Sequence, residues 1–271
     1  MKSQKERILD EKIISSLNAF NLTGKAVEAT QMLLDDEDVQ ASQEYANTVS
    51  IVRLNYNDHG PVHMRTVALN AIKMAGLLRT AGIQTNIEKE GSGDFEDSLI
   101  AMVYAATLHD LGMSTGRQDH ELHSAYIAYP ILDRLLSVFY NKNMHKRVVI
   151  RSVALEAISG HMGNRTIHSL EAGVIQIADG CDMTKGRARI PTVLNDTPRV
   201  GHIHQYSAAS IEEVIIKTGN EQPIHIGVLM SSEVGLFQVE EVLMHKIAKS
   251  TAKPYVELFA TVNDSEPRRY L

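Results

Sequence analysis

The chain has 271 residues, 44% hydrophobic and 22% charged, a composition that fits a globular protein with a sizeable apolar core. Its net charge of -6 offers no basic face for nucleic acid, so a small molecule or another protein is the expected partner. One cysteine, Cys181, excludes an internal disulfide, and MKSQKERILDEKIISSLNAF lacks the apolar run of a secretion signal. No segment reaches the ~20 apolar residues of a bilayer span, so a cytoplasmic location with no membrane partner is expected.

From Lys5 to about Leu34 the apolar spacing is helical, with Ile8, Ile13, Ile14 and Leu17 on one stripe, and the acidic LDDEDV reads as a solvated connection. EYANTVSIVRL is a second helix. Asn57-Asp58-His59-Gly60-Pro61 marks a turn, and Pro61 suits the first position of the helix VHMRTVALNAIKMAGLLRTAG, which Ala81-Gly82 ends. EKEGSGDFEDS is a loop in which Asp94 or Ser92 caps the helix that ends at ATLHDLGM. HELHSAYIAYPILDRLLSVFY, KRVVIRSVALEAISGH and SLEAGVIQIADGCDM are further helices. After about Ile190 the texture changes. IEEVIIKTG, PIHIGVLMSS, GLFQVEEVLMHKIAKST and PYVELFATV read as strand, strand, helix and strand. The expected fold is therefore mainly α, with N-terminal helices over 1-54, a helical domain over 55-190 and a small α+β unit over 191-271.

The twelve histidines are placed unevenly. His63 falls in the first turns of a helix, adjacent His109 and Asp110 at the end of another, His120 at the start of the next, His161 just past a fourth, and Asp179 late in a fifth. Helix ends let a bundle aim several polar groups into one pocket without opening its apolar middle. Taken singly, each of these residues reads equally well as a cap or a core polar group. Together they form a donor set of imidazole and carboxylate that suits Fe, Mn, Ni or Zn, with Mg also admissible.

In this pattern the chain resembles the HD-domain metal-dependent phosphohydrolases. The resemblance rests on His63 in GPVHMRTVA, His109-Asp110 in ATLHDLGM, His120 in DHELHSAYIA, His161 in ISGHMGN and Asp179 in IQIADGCDM, and covers roughly Asn55 to Ile190. It implies an all-helical domain around one or two divalent metals and hydrolysis of a nucleotide or other small phosphoester by water activated at the metal. By the family's pattern, His63, His109, Asp110 and Asp179 hold one ion, while His120 and His161 hold a second that shares Asp110. His109 and Asp110 are then the catalytic pair. The chain departs from the cyclic-dinucleotide branch in having Met113 where that branch carries lysine, and in lacking Gly-Tyr-Pro after His161.

Candidate phosphate contacts are Arg65, Arg117 and the basic run Lys185, Arg187 and Arg189, since guanidinium grips phosphate through paired hydrogen bonds. Asp182, three residues beyond Asp179, could touch substrate, cap a basic side chain or orient a ligand histidine. His59 and Asp58 either face the pocket or shape their turn; His123 reads as an outer or surface residue, and Cys181 as small and buried. The rival readings are a nucleotide sensor that keeps the pocket without turnover and a cyclic nucleotide phosphodiesterase. Open sheet edges on the C-terminal unit point to a homodimer.

Overall fold

The computed structural model of the protein describes residues 2-184, 203-263 and 265-271, leaving aside the side chains of residues 204 and 205. The architecture is mainly helical with a small C-terminal sheet. Its central rod is α6 (Phe95–Leu108), whose residues are all buried. A helix that is apolar on every face can only sit inside others. Asp94 starts it through a reciprocal cap with Asp97. Around it pack α2 (Lys25–Asp35), α4 (Pro61–Thr80), α8 (Met144–Gly160) and α9 (Leu170–Gly180), with α7 (His120–Tyr140) lying along α8.

The N-terminal expectation needs correcting in three places. The helical pattern from Lys5 to Leu34 is broken into α1 (Gln4–Asn18) and α2, with Asn21 and Gly24 in the left-handed region between them. The inward stripe of α1 is Leu9, Ile13 and Leu17, whereas Ile8 is 43% exposed. LDDEDV is no open connection either. Asp36 alone separates α2 from α3 (Glu37–Thr48), and it caps α3 by accepting from the Val39 amide at 3.1 Å. Acidic residues in a first turn meet the positive end of the helix, so the same charges that look solvated also favour helix there. Between α4 and α6, a short helix α5 (Asn86–Lys89) occupies part of the expected loop.

In the C-terminal part, α10 (Ile203–Ser210) precedes β1 (Ile211–Thr218), which pairs antiparallel with β2 (Ile224–Met230). The chain crosses through a π-helical segment, Gln238–Leu243, into α11 (Met244–Lys249) and returns as β3 (Val256–Val262), parallel to β2. A parallel neighbour requires such a crossover. A two-residue β4 (Arg268–Arg269), too short to show alternation in sequence, pairs with β3 and makes the sheet four-stranded. Ile224, Ile226, Val228, Leu258, Val239, Leu243 and Ile247 are fully buried in one face of this unit. The apolar core runs without interruption from Ile13 to Ala260: α11 packs on α9, and β1 and β2 pack on α4. The crossover helix is thereby held against α9, the helix that carries Asp179.

Candidate metal centre

Five helix termini deliver the side chains. His63 lies in the first turn of α4, where Pro61 occupies the first position. His109 caps the C-terminus of α6, and Asp110 leads into a short 3-10 turn, Leu111–Ser114. His120 is the first residue of α7, His161 caps α8, and Asp179 sits at the end of α9. All six are buried.

The six converge as two groups that share one carboxylate. Asp110 Oδ2 lies 3.3 Å from both His63 Nε2 and His109 Nε2, and Asp179 Oδ1 is 3.2 Å from His63 Nε2 and 3.8 Å from His109 Nε2. Asp110 Oδ1 points the other way, 3.3 Å from His120 Nε2 and 3.5 Å from His161 Nε2. The adjacency of His109 and Asp110 at a helix end makes this work, because the helix has stopped constraining Asp110 and its carboxylate can face both groups.

The imidazole tautomers explain what such a cluster is for. His109 Nδ1 lies 2.8 Å from the Ala106 carbonyl, His161 Nδ1 2.7 Å from that of Ile158, His120 Nδ1 3.0 Å from that of Arg117, and His63 Nδ1 2.7 Å from Asp182 Oδ2. Each acceptor takes a proton on Nδ1, which leaves a lone pair on Nε2. Those lone pairs face each other in pairs, His63 with His109 at 3.2 Å and His120 with His161 at 3.2 Å. Acceptors crowded against carboxylates repel unless a cation lies among them. Asp110 Oδ2 is buried with no hydrogen-bond partner, an orphaned charge that points to the same conclusion. Three overlapping sets, His63/His109/Asp110, His109/His161/Asp179 and Asp110/His120/His161, bring donor atoms close enough to share an ion.

The electrostatics agree. Burial pushes the Asp110 carboxyl up, but the surrounding imidazoles, His109 first and then His59 and His120, outweigh it and hold it well below the usual carboxylate range. At Asp179, burial is likewise outweighed, chiefly by the Lys246 ammonium. Desolvation, reinforced by His109, lowers His161 to about 4, so this imidazole is neutral and able to ligate at physiological pH.

Of the other residues singled out in sequence, Asp182 takes the orienting position, against His63. Arg117 stands at the His120 side, its guanidinium 3.5 Å from His120 Nε2, against the sulfurs of Met113 and Met162 and over the Tyr56 ring. Arg65 is a correction: it is buried away from the donors, bonded to Asp10 at 2.7 Å and to Gln43 and the Pro61 carbonyl at 3.1 Å. Two residues along a helix is about 200° of rotation, so Arg65 and His63 face opposite ways. Lys185, Arg187 and Arg189 lie outside the described residues. His59 packs edge-on to His63 with ring centroids 6.0 Å apart and bonds Asn57 and Ser50; Asp58 accepts from the Gly60 amide, and His123 bonds Thr115.

One residue was missed. Lys246 of α11 is 6% exposed and donates to Asp179 Oδ2. Its sequence neighbourhood, a surface-type amphipathic helix 67 residues downstream of Asp179, gives no local sign of this contact.

This is a helical protein with a buried imidazole-carboxylate centre suited to a divalent metal. The model of the HD domain matches residues 62–184. The chain is 43% identical over 235 residues to the uncharacterized protein MJ1020 of Methanocaldococcus jannaschii, a match that takes in 87% of this chain and 88% of the relative. No solved structure matches it. The chain belongs to the HD-domain family, a superfamily of metal-dependent hydrolases. Among the described residues, no helix is long and apolar enough to cross a membrane.

Proposed function

We propose that the protein is a phosphohydrolase acting on a nucleotide or other small phosphoester at a two-ion centre. His63, His109, Asp110 and Asp179 would hold one ion, and His120, His161 and Asp110 the other. The observation that carries this reading is the splitting of Asp110, whose two oxygens face separate pairs of lone-pair nitrogens. A divalent cation bound there would supply Lewis acidity toward a phosphoryl oxygen and would lower the pKa of water toward neutrality.

The chain's own residues supply the rest. Asp182 and the three carbonyls fix the imidazoles with Nε2 inward, so the donors need no reorganisation when substrate arrives. Arg117 has no carboxylate partner among the described residues, only sulfur, imidazole and a tyrosine ring. A half-buried guanidinium so placed is suited to receive a phosphate oxygen. The burial of all six donors excludes bulk water and strengthens these interactions.

The test is a panel of nucleotides and small phosphoesters with added Mn²⁺, Ni²⁺, Mg²⁺ or Fe²⁺, assayed for phosphate and other products. Turnover by the native chain, lost in Asp110→Ala together with bound metal while helicity persists, is the expected result. Tight nucleotide binding without turnover under every metal would replace this reading with that of a sensor. Products from a cyclic substrate would move it to a phosphodiesterase.

A further inference from the structure

The C-terminal unit reaches the centre through one side chain. Lys246 Nζ is bonded to Asp179 Oδ2, while Asp179 Oδ1 is the oxygen that faces His63 and His109. One carboxylate is thus divided between an ammonium and the donor cluster. The fold makes room for this approach: a Cβ on Gly180 would lie 3.2 Å from Lys246 Cδ and 3.0 Å from Leu243 Cδ1. A buried ammonium costs desolvation that an apolar residue avoids, and the flanking Leu243 and Ile247 already dock the helix. Docking therefore leaves the lysine unexplained.

We propose that Lys246 is a positioning residue of the metal centre: by occupying Asp179 Oδ2 it restricts the aspartate to one oxygen toward a divalent ion, which makes the C-terminal unit part of the site. The inference rests on the metal-dependent reading given above. An ion denied the second oxygen keeps a coordination position for water or for a substrate oxygen, the open position that separates catalytic from closed structural sites.

The experiment loads the full chain with Co²⁺, whose visible absorption weakens as oxygen ligands are added, and compares native protein with Lys246→Met, which keeps the apolar stem, and Lys246→Arg, which keeps the charge. Lys246→Met is expected to bind the same number of Co²⁺ ions at least as tightly, because a neighbouring positive charge has gone. Its visible band should weaken as Asp179 closes on the ion. Its kcat should fall roughly ten- to a hundredfold with KM changed by no more than about threefold, and Lys246→Arg should restore both spectrum and rate. An unchanged spectrum in folded Lys246→Met overturns the proposal by reducing the lysine to a packing role. Should Lys246→Met not fold, Lys246→Leu, which likewise cannot donate to Asp179 Oδ2, is read the same way, with an unchanged spectrum again counting against the proposal. If native protein binds Co²⁺ yet hydrolyses no phosphoester, the phosphohydrolase reading fails, while the spectra still decide the role of Lys246.

Discussion

Replacing Asp182 by alanine removes the carboxylate that lies 2.7 Å from His63 Nδ1 and leaves a buried N–H without that acceptor. Two effects then act in the same direction. The imidazole loses the partner that fixes its tautomer and ring angle, and a negative charge disappears close to the site of a cation. Outer partners of ligand histidines are worth about ten- to a hundredfold in metal affinity, or about 1.4–2.7 kcal/mol. Asp182→Asn separates the two effects, because an amide oxygen still accepts from Nδ1 while the charge is gone, so its affinity should fall between native and alanine. The assay titrates metal-free protein with Mn²⁺ or Zn²⁺ against a competing chromophoric chelator, and circular dichroism checks that both variants fold. Affinity of Asp182→Ala within about twofold of native, far less than the expected loss, would refute the argument that Asp182 presents His63 to a metal.

Gly112→Ala should damage the centre without removing any of its donor side chains. The added Cβ would sit 2.0 Å from the His120 carbonyl and 2.6 Å from the Ser124 amide, so the turn after Asp110 must separate from α7. Overpacking of this kind costs about 1–3 kcal/mol, and a lowered Tm with reduced metal stoichiometry is the expected reading. The two arginines should behave oppositely. Arg65→Ala breaks the link from α4 to Asp10 and Gln43 and should destabilise the fold by about 3 kcal/mol in urea unfolding. Arg117→Ala should leave stability unchanged and lower kcat/KM roughly ten- to a hundredfold, the value of a charged hydrogen bond to phosphate. Far from the centre, Asp97 receives Lys25 at 2.5 Å, Lys146 at 2.6 Å and the Tyr140 hydroxyl at 2.6 Å. Burial alone would raise its carboxyl, but these bonds bring it down to about 2. A carboxyl lowered on folding stabilises above its unfolded pKa near 4 and loses that contribution as pH falls through about 2; the difference is about 2 kcal/mol. Unfolding midpoints should therefore drop across that window, and Asp97→Asn should flatten this part of the profile.

The clustering of the six side chains was legible because its signal is local and repeated: each candidate donor falls at a helix end. The strands and crossover helix of the C-terminal unit were equally readable, since the alternation in IHIGVLM and the helical spacing of Val239, Leu243 and Ile247 follow directly from one-sided burial. What escaped depends on direction or distance. Arg65 lies two residues from His63, yet helical rotation turns it toward Asp10, where nothing in linear spacing points. Ile8 and Leu9 are both apolar, and only packing selects Leu9 for the core. LDDEDV misled because an acidic run serves a solvated loop and a helix start equally well. Lys246 was invisible because its meaning resides in a contact with Asp179, 67 residues away in sequence.

The central claim is that four inward-facing Nε2 lone pairs and the orphaned oxygen of Asp110 are assembled to hold a cation. Elemental analysis of the full chain, purified without chelators, tests it most directly. The account predicts one to two equivalents of a divalent transition metal per chain, reduced to background in Asp110→Ala. Native protein that carries no metal, and gains neither bound metal nor thermal stability when Mn²⁺, Ni²⁺, Zn²⁺ or Fe²⁺ is supplied, would contradict it.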